Sequence, residues 1–512
     1  MFKNLTAKGK LVFGIVGLLL AFGVLWATGL LGTLTSAIEG TGGAGGGETF
    51  AAVDGDCIDI GVMPWVGYAG GQYWNGGFAD SERSRFREAG ICVNYVASDS
   101  RQAQIAAFKS GDLDVVWQTM DAYGPEAGDL PDDTRAFLQA NKSAGGDVMI
   151  ARDGIDGLND LRGKKIATAY RNPSHTLTLF ALETAGLKPF DVTLVEAQDP
   201  IQAVQMFKAG AVDAAAVWTP DDVEALEKVP GSKRIFSTRE AGELIHDVFL
   251  VREGWARDHE RELEALFEGW MRGAVAVETD PQARAEAIRI MADGYDMPVD
   301  FFEQTFDNAY RTNAADNECF FGIREKGTDG CTVSGADVYD NAVRLYEAAN
   351  VIRGTPPRFE DLVWTNAVRT VAPRLSQTAQ RGTDFAAPTA ADELREAIST
   401  KGVSVTFPSG SAQLTPQARQ TIDAEFGASA QLASNARVRI VGNTDDVGNA
   451  AANQALSERR AQSVADYLAQ RYQFDRDRFI VRGDGASNPI SPNTTASGRE
   501  ANRRTDLELV AQ

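Results

Sequence analysis

An acid and an arginine near the C-terminus are spaced to bind a zwitterion. Asp445 lies in a loop that ends at a glycine, NTDDVG, and Arg460 follows in a stretch with helical periodicity. Asn453 and Arg460 are seven residues apart, which is about two helical turns, so they project the same way. A carboxylate can bind an ammonium group, and a guanidinium can bind a carboxylate through two hydrogen bonds. The pair therefore predicts a clamp for an amino-acid zwitterion, although a turn-forming Asp and a solvated Arg are the commoner meaning of these residue types.

The elements that must hold this clamp are predicted to form a small α+β unit. Residues 436–443, ARVRIVGN, alternate as a strand does and end in the acid-bearing loop. Ala461, Val464 and Leu468 then mark one face of a helix. Further strands are predicted from VSVTF, RFIVRG and NRRTDLELV, and the whole unit is placed at residues 394–512.

These motifs resemble the C-terminal domain of OmpA-type outer-membrane proteins. The resemblance rests on Phe407, GNTDDVG, the pattern N-x-x-L-S-x-R-R-A and the terminal NRR. It implies non-covalent docking on peptidoglycan through diaminopimelate, with Asp445 on the ammonium group and Arg460 on the carboxylate. Asn443 stands where this family usually has His, and we expect that change to alter loop rigidity rather than the clamp. The other residues that the resemblance places at the site are Thr444, Asn453, Leu456 and Arg503.

Aromatic and acidic residues also gather at predicted strand ends in the middle of the chain. Aromatic faces combined with carboxylates suit a cationic or zwitterionic amine. A sulfonate or another oxyanion would instead use helix N-termini and Arg101 or Arg171. We expect an amine rather than an oxyanion to bind here, and an empty pocket is a third possibility. The residues that would form the aromatic and acidic cage are Trp65, Tyr68, Asp121, Asp147 and Trp218.

Strand-like and helix-like runs alternate from about residue 54, which predicts parallel sheets covered by helices. Two segments, FKSGDLDVVW at 108–117 and FKAGAVDAAAVW at 207–218, carry Phe, Lys, Gly and Asp at the same offsets. Each ends a helix at a glycine and starts a strand that closes on a tryptophan. The repeat predicts two similar α/β lobes with a ligand site at the carboxyl ends of their strands.

Residues 54–372 resemble the periplasmic solute-binding proteins of ABC importers, close to the nitrate/sulfonate/taurine branch. The motifs that carry this resemblance are PWVGY, SAGGD, LRGKKIAT, NPSH and VWTP, in that order. They imply two α/β lobes that close over a ligand at a hinge. Lone His175 and His246, without a nucleophile in a G-x-S-x-G setting, argue against a hydrolase. The pocket residues that the resemblance implies are Trp65, Tyr68, Ser143, Asp147, Ser174, His175 and Trp218, to which the acid Asp121 is added.

The N-terminal segment is predicted to anchor the chain in a membrane. Residues 11–34 carry no charge, and a run of this length can cross a bilayer. Lysines precede the run, and no basic residue follows it until Arg83, so the N-terminus is expected in the cytoplasm and the rest in the periplasm. Residues 1–35 are therefore predicted as a single-pass inner-membrane anchor, with a cleaved signal peptide as the alternative. Residues 36–53, rich in Gly, are predicted as a flexible tether.

Export permits disulfide bonds. Cys57 and Cys92 open two strands that are expected to be parallel neighbours, and Cys319 and Cys331 flank a short segment. Two disulfides are predicted, with free buried thiols as the alternative. Neither pair has the C-x-x-C spacing of a zinc or redox site, so no metal or cofactor is expected. The formal net charge of −21 disfavours nucleic-acid binding.

The complete prediction is an α/β, two-lobed periplasmic-binding-protein fold, preceded by one transmembrane helix and followed by a smaller α+β OmpA-like domain. A linker is expected at residues 373–393. The predicted function is to bind a small solute and to dock on peptidoglycan, without enzymatic activity, with a membrane permease or another envelope protein as a further partner. The alternative is an envelope scaffold or sensor whose solute-binding fold no longer serves transport.

Overall fold

The computed structural model describes residues 57–512 apart from residues 99, 329, 353, 376, 379–383, 406 and 409. The predicted anchor (1–35) and tether (36–53) lie outside the described residues. Among the residues described, no helix is both long enough and apolar enough to span a bilayer.

The strands form three sheets. They are β1 Ile58–Val62, β2 Val93–Ala97, β3 Val115–Thr119, β4 Thr134–Ser143, β5 Asp147–Ala151, β6 Lys165–Ala169, β7 Thr193–Ala197, β8 Ala214–Trp218, β9 Lys233–Ser237, β10 His246–Arg252, β11 Ala309–Arg311, β12 Ala397–Val403, β13 Arg437–Asn443, β14 Phe479–Gly485 and β15 Thr505–Val510.

Helices cover these sheets. The α-helices are Ala69–Asn75, Arg101–Ser110, Met120–Glu126, Pro173–Thr184, Pro200–Lys208, Asp221–Lys228, Glu253–Asp258, Glu260–Thr279, Pro281–Tyr295, Val299–Thr305, Ala314–Phe320, Gly335–Ala348, Asn366–Leu375, Ala390–Leu394, Pro416–Ile422, Ala428–Leu432, Ala450–Tyr472 and Ala496–Asn502. The short 3-10 segments are Val66–Tyr68, Arg85–Ala89, Ala127–Asp129, Leu158–Leu161, Pro189–Asp191, Phe306–Asn308, Phe359–Leu362 and Arg476–Arg478, and Asp423–Gly427 is a π turn.

Two of the sheets form the predicted pair of lobes. The first has the strand order β11-β4-β10-β3-β1-β2, and the second has the order β7-β6-β8-β5-β9. The expectation of parallel sheets was wrong in part, because β10 runs antiparallel to β3 and β4, and β5 runs antiparallel to β8 and β9. The chain leaves the first lobe through β4 and returns through β10, so these neighbours must point in opposite directions. Strands β4, β9 and β11 were not predicted from the sequence, and the strand predicted at VSVTF lies earlier in the chain, as β12.

Local sequence explains why several helices begin where they do. Asn172 and Asp199 each precede a proline, whose fixed φ suits the first helical position. The Asn172 side chain accepts a hydrogen bond from the Ser174 N–H at 3.0 Å, and the Asp199 carboxylate accepts one from the Gln202 N–H at 2.7 Å. These caps satisfy backbone donors that have no partner inside the helix.

Each lobe has its own apolar core. In the first lobe, Phe249 and Trp270 are almost fully buried with their ring centroids 4.7 Å apart. In the second lobe, Phe207 packs with residues of β5 and β8 such as Ile150 and Val217. Burial of one such side chain contributes about 1.5–3 kcal/mol, so these contacts hold the strands whose ends carry the site.

Two segments connect the lobes side by side, residues 144–146 and 238–245. Thr238 joins them, because its hydroxyl accepts the Gly145 N–H at 2.9 Å and lies 2.8 Å from the Ser143 hydroxyl. The Asp147 carbonyl in turn accepts the Thr238 N–H at 3.0 Å. The crossing is therefore fixed by hydrogen bonds at the point where β4 gives way to β5.

Both predicted disulfides are present. Cys57 pairs with Cys92, and Cys319 pairs with Cys331. The first disulfide lies where the parallel strands β1 and β2 begin, with Ile58 opposite Val93.

The C-terminal sheet has the order β12-β15-β13-β14, with β13 and β14 parallel and β15 antiparallel to its neighbours. The predicted linker, residues 373–393, begins in the helix Asn366–Leu375 and ends in the helix Ala390–Leu394. The long helix Ala450–Tyr472 packs on β13 and β14.

Gly442 lets that helix approach the sheet. A Cβ atom at Gly442 would lie 2.1 Å from the Ser457 carbonyl oxygen. We expect Gly442→Ala to reduce the stability of this domain by about 1–3 kcal/mol, because backbone must move to relieve the overlap. Gly402→Ala is the matched control in the same sheet, since its Cβ would meet only Asp506 Oδ1 at 3.4 Å. Hydrogen exchange of the β13 amides in both variants measures the difference, and equal exchange would contradict the packing argument.

Candidate functional site

A cavity of about 70 Å³ lies where the strand ends of both lobes meet the crossing segments. Its aromatic residues come from both lobes, since Trp65, Tyr68 and Trp117 belong to the first and Trp218 ends β8 of the second. The residues that line it are Met63, Pro64, Trp65, Tyr68, Trp117, Thr119, Ser143, Gly146, Asp147, Pro173, Trp218, Thr219, Ile245 and Asp247.

Neighbouring groups fix the aromatic walls. The Trp65 indole N–H donates to the Asn141 side-chain oxygen at 3.0 Å. A Cβ on Gly146 would lie 2.3 Å from the Trp65 ring, so only glycine leaves room for this wall at the crossing. The Tyr68 ring packs against Phe249 with centroids 5.2 Å apart. The walls are therefore held before any ligand binds.

Three buried carboxyl groups surround this space. Asp147 and Asp247 line the cavity, and Asp121, at the start of the helix Met120–Glu126, is 1% exposed. Burial raises the pKa of Asp121 to about 7, of Asp147 to about 6 and of Asp247 to about 8. The nearby carboxylates Asp147 and Asp121 raise the pKa of Asp247 further, whereas the Ser143 hydroxyl, which donates to Asp147 at 2.7 Å, acts in the opposite direction on Asp147.

No Lys, Arg or His is found among the described residues that line the cavity. Arg101 lies over the Trp117 ring at 4.7 Å, donates to the Trp117 carbonyl at 2.6 Å and forms an ion pair with Glu126 at 3.3 Å. Arg171 is exposed and forms an ion pair with Asp129 at 2.9 Å. Neither arginine named for the oxyanion alternative lines the cavity.

The structure brings together five of the eight predicted solute-binding residues, namely Trp65, Tyr68, Ser143, Asp147 and Trp218. Asp121, Ser174 and His175 are buried but do not line the cavity. His175 stacks on Tyr170 with centroids 4.5 Å apart, and burial lowers its pKa to about 4.

Asp247 was missed as a site residue. It stands in the run HDVFLV, which the sequence indicates as a strand. An acid at the start of an otherwise apolar strand was the available signal, because such a charge is costly to bury without a role.

The residues of the predicted clamp near the C-terminus have other partners in this structure. Asp445 forms an ion pair with Arg503 at 2.6 Å. The Arg460 guanidinium lies over the Phe407 ring at 4.9 Å, and its Nε donates to the Ser411 carbonyl at 3.1 Å. Burial lowers the pKa of Arg460, and the neighbouring Arg503 lowers it further.

The remaining predicted residues surround this clamp. Asn453 donates to the carbonyls of Asp445 and Val447 at 3.3 and 3.1 Å and so ties the loop to the helix. Thr444 is buried with no hydrogen-bond partner for its hydroxyl among the described residues, and Leu456 is half-buried. Asn443 donates to Asp506 at 2.9 Å, which fixes the end of β13.

Comparison with known protein families finds a match for each of the two domains. Residues 75–284 match the model described as NMT1/THI5 like, and residues 406–503 match the OmpA family. The chain joins an NMT1/THI5-like solute-binding domain to an OmpA-family domain. This confirms the predicted fusion.

Relatives of the two domains are separate proteins. The OmpA-family domain is 43% identical over 103 residues to outer membrane protein A of Bordetella avium, which covers 19% of this chain and 49% of that protein. The NMT1/THI5-like domain is 28% identical over 192 residues to the taurine-binding periplasmic protein of Escherichia coli (strain K12), which covers 37% of this chain and 58% of that protein. The chain thus spans about half the length of these curated relatives.

Among solved structures, the chain is similar to the periplasmic aliphatic sulphonate binding protein from Escherichia coli. The TM-score is 0.46 and the sequence identity is 16%, over 66% of this chain and 98% of that one.

The buried acids predict how the stability of the NMT1/THI5-like domain depends on pH. A carboxyl whose pKa is raised on folding makes the native state lose stability as pH rises towards the folded pKa. Between pH 6.5 and 8.5 we expect the free energy of unfolding to fall by on the order of 2 kcal/mol, since Asp121 and Asp247 titrate there. Below pH 6.5 the buried His175 and His246, whose pKa values burial lowers, act in the opposite direction.

Urea unfolding of the unliganded chain at pH 6.5 and 8.5 measures this change. A free energy that rises over this interval would contradict the assignment of buried, protonated carboxyls.

Proposed function

We propose that this chain is a membrane-anchored periplasmic protein that captures a small cationic amine and holds it close to the cell wall. Residues 1–35 would be the anchor and 36–53 the tether, followed by a solute-binding domain at 54–372, a linker at 373–393 and a peptidoglycan-binding domain at 394–512. The rest of the chain would be exported equally well if the first segment were a cleaved signal peptide.

The proposed class of solute rests on one observation: buried carboxyl groups outnumber cationic side chains at the cavity. Asp121, Asp147 and Asp247 lie in a low-dielectric space, and no described cationic side chain lines it. A bound cation would supply the missing charge and favour the ionised carboxylates. The tryptophan and tyrosine faces would stabilise the same cation. A sulfonate would instead add negative charge to the acids.

Contacts between the lobes support capture by closure. Arg344 donates to Glu183 at 3.0 Å, and the Tyr346 hydroxyl lies 2.8 Å from that of Thr176. The first member of each pair lies on the helix Gly335–Ala348, which packs on the helix Met120–Glu126 of the first lobe, and the second lies on the helix Pro173–Thr184 of the second lobe. Separation of the lobes would break these contacts, and a ligand that bridges both walls would favour the closed arrangement.

The wall-docking site would bind diaminopimelate by exchange of one ion pair. Arg460 uses only Nε in a described hydrogen bond, so its two terminal amino groups are free to bind a carboxylate. The ammonium group of the ligand would replace Arg503 on Asp445, and Arg503 is 44% exposed and has room to move. Thr444, Asn453 and Leu456 would line the same site.

The test of solute capture is calorimetric titration of the full chain at pH 8 with ethanolamine, glycine and methanesulfonate, which are of similar size and carry an ammonium group, both charges and a sulfonate alone. Binding of ethanolamine and no binding of methanesulfonate supports the proposal. Tighter binding of methanesulfonate than of ethanolamine would show that the cleft selects an oxyanion.

A sensor is the second candidate, because the OmpA-family domain contacts a segment that connects the lobes. The Glu243 N–H donates to the Leu432 carbonyl at 3.2 Å. The Asn435 N–H donates to the Glu240 carbonyl at 3.2 Å, and its side chain donates to the Arg239 carbonyl at 3.0 Å. If solute closure moves this segment, the amine should change the affinity for purified sacculi, whereas simple capture leaves that affinity unchanged.

A further inference from the structure

Several buried polar atoms of the cavity wall have no hydrogen-bond partner among the described residues. They are Oδ1 of Asp147 and the hydroxyls of Tyr68 and Thr119. All three residues line the cavity, and each is more than nine-tenths buried. An ionised carboxylate oxygen can only accept a hydrogen bond, whereas a hydroxyl both donates and accepts, and a buried acceptor without a donor is costly. Asp147 Oδ1 therefore lacks a donor in this arrangement.

Trp117 also lines the cavity, and its buried indole Nε1 has no hydrogen-bond partner among the described residues. An indole N–H can only donate. A ligand that satisfies these atoms would carry N–H donors for the carboxylate oxygen of Asp147 and an acceptor atom for the indole N–H.

The volume of the cavity limits the size of that ligand. The space measures about 70 Å³, and one water needs about 10–15 Å³ of such space. A molecule of roughly five non-hydrogen atoms fits.

We propose, on the basis of the proposed capture of a cation, that the ligand is a small primary amine with a neighbouring hydroxyl or carbonyl, and not a quaternary ammonium compound. The aromatic walls alone would accept either cation. A quaternary nitrogen has no N–H, so it would leave Asp147 Oδ1 and the neighbouring acceptors without donors. A site built to bond N–H groups rejects an analogue that lacks them, because its own polar atoms then stay unpaired.

Ethanolamine and choline are the probes, because they differ only by three methyl groups on the nitrogen. Titration of the full chain at pH 8 with ethanolamine, its N-methyl and N,N-dimethyl derivatives and choline removes one donor at a time. We expect the affinity to fall along the series, and choline to bind at least about 10-fold more weakly than ethanolamine, as the loss of one charge-assisted hydrogen bond implies.

Two variants separate donor recognition from size. Asp147→Asn replaces a pure acceptor with a group that also donates, and Thr119→Val removes a hydroxyl at nearly constant volume. Each is expected to reduce the ratio of ethanolamine to choline affinity, with Thr119→Val as the safeguard if Asp147→Asn does not fold. A ratio that neither variant changes would show that size alone excludes choline and would overturn the proposal.

The outcomes also distinguish this inference from the proposed function. If choline binds as tightly as ethanolamine, the cleft captures a cation without selecting for N–H donors, and only this inference fails. If neither amine binds, the capture of a cation fails as well.

Discussion

Asp247→Asn is expected to abolish measurable ethanolamine binding and, in the same protein, to stabilise the unliganded chain at pH 8.5. The affinity should fall by 100-fold or more, because removal of one partner of a buried charge pair costs about 3–5 kcal/mol. Stability should rise because the native wild-type protein must ionise a carboxyl whose pKa burial raises to about 8. An Asn has no such requirement.

The opposite signs of the two effects make this test specific. A variant that simply damaged the fold would lose both binding and stability. Asp132→Asn is the matched control, since Asp132 is an exposed acid of the same lobe, and it should change neither quantity. Titration calorimetry gives the ethanolamine affinity and urea unfolding gives the free energy of unfolding, each at pH 6.5 and at pH 8.5. Unchanged binding in Asp247→Asn would remove Asp247 from the site.

The double variant Asp445→Ala, Arg460→Ala is expected to lose binding to purified sacculi by 100-fold or more. Each side chain would bind one end of the zwitterion, and the Arg460 guanidinium is held in place by Phe407 and Ser411. Charge-assisted hydrogen bonds contribute about 1.5–3 kcal/mol each, so loss of both ends accounts for this factor. Co-sedimentation of the full chain with sacculi measures the change.

The same domain offers a matched control. Asp466 and Arg476 form an exposed ion pair at 2.8 Å on the same domain, and Asp466→Ala, Arg476→Ala removes the same two residue types. Exposed pairs contribute little to stability, so this control should bind sacculi as the parent does. If both double variants bind like the parent, wall docking does not use the clamp.

Much of the architecture could be predicted because it depends on local patterns. The repeated FKxG…D…W segments indicated two related lobes, and Trp117 and Trp218 do line one cavity. Turn residues, helix caps and periodicity report on neighbours along the chain, so they located β3 and β8 and placed the end of β8 at Trp218. The clamp of Asp445 and Arg460 stays a prediction, because their residue types and spacing are more often those of a turn-forming Asp and a solvated Arg.

Strand β4 is an element that such local patterns do not predict. Its sequence, TRAFLQANKS, contains several polar residues, yet most of the strand is buried. The Gln139 side-chain nitrogen lies 2.8 Å from His246 Nδ1, on the neighbouring strand β10. Polar residues can be buried when a distant strand supplies the partner, and the sequence of β4 does not contain that partner.

The sequence by itself determined the two-part organisation, the cysteine pairs and the kinds of residue at each site. Only the tertiary structure decided that Asp247 joins Asp147 at one cavity, that Arg101 and Arg171 stay outside it, and that Arg503 pairs with Asp445. The reason is physical: periodicity and caps act over a few residues, whereas burial of a charge and its choice of partner depend on which distant strands pair. Here the pairing of β10 with β3 and β4 brings the acids together.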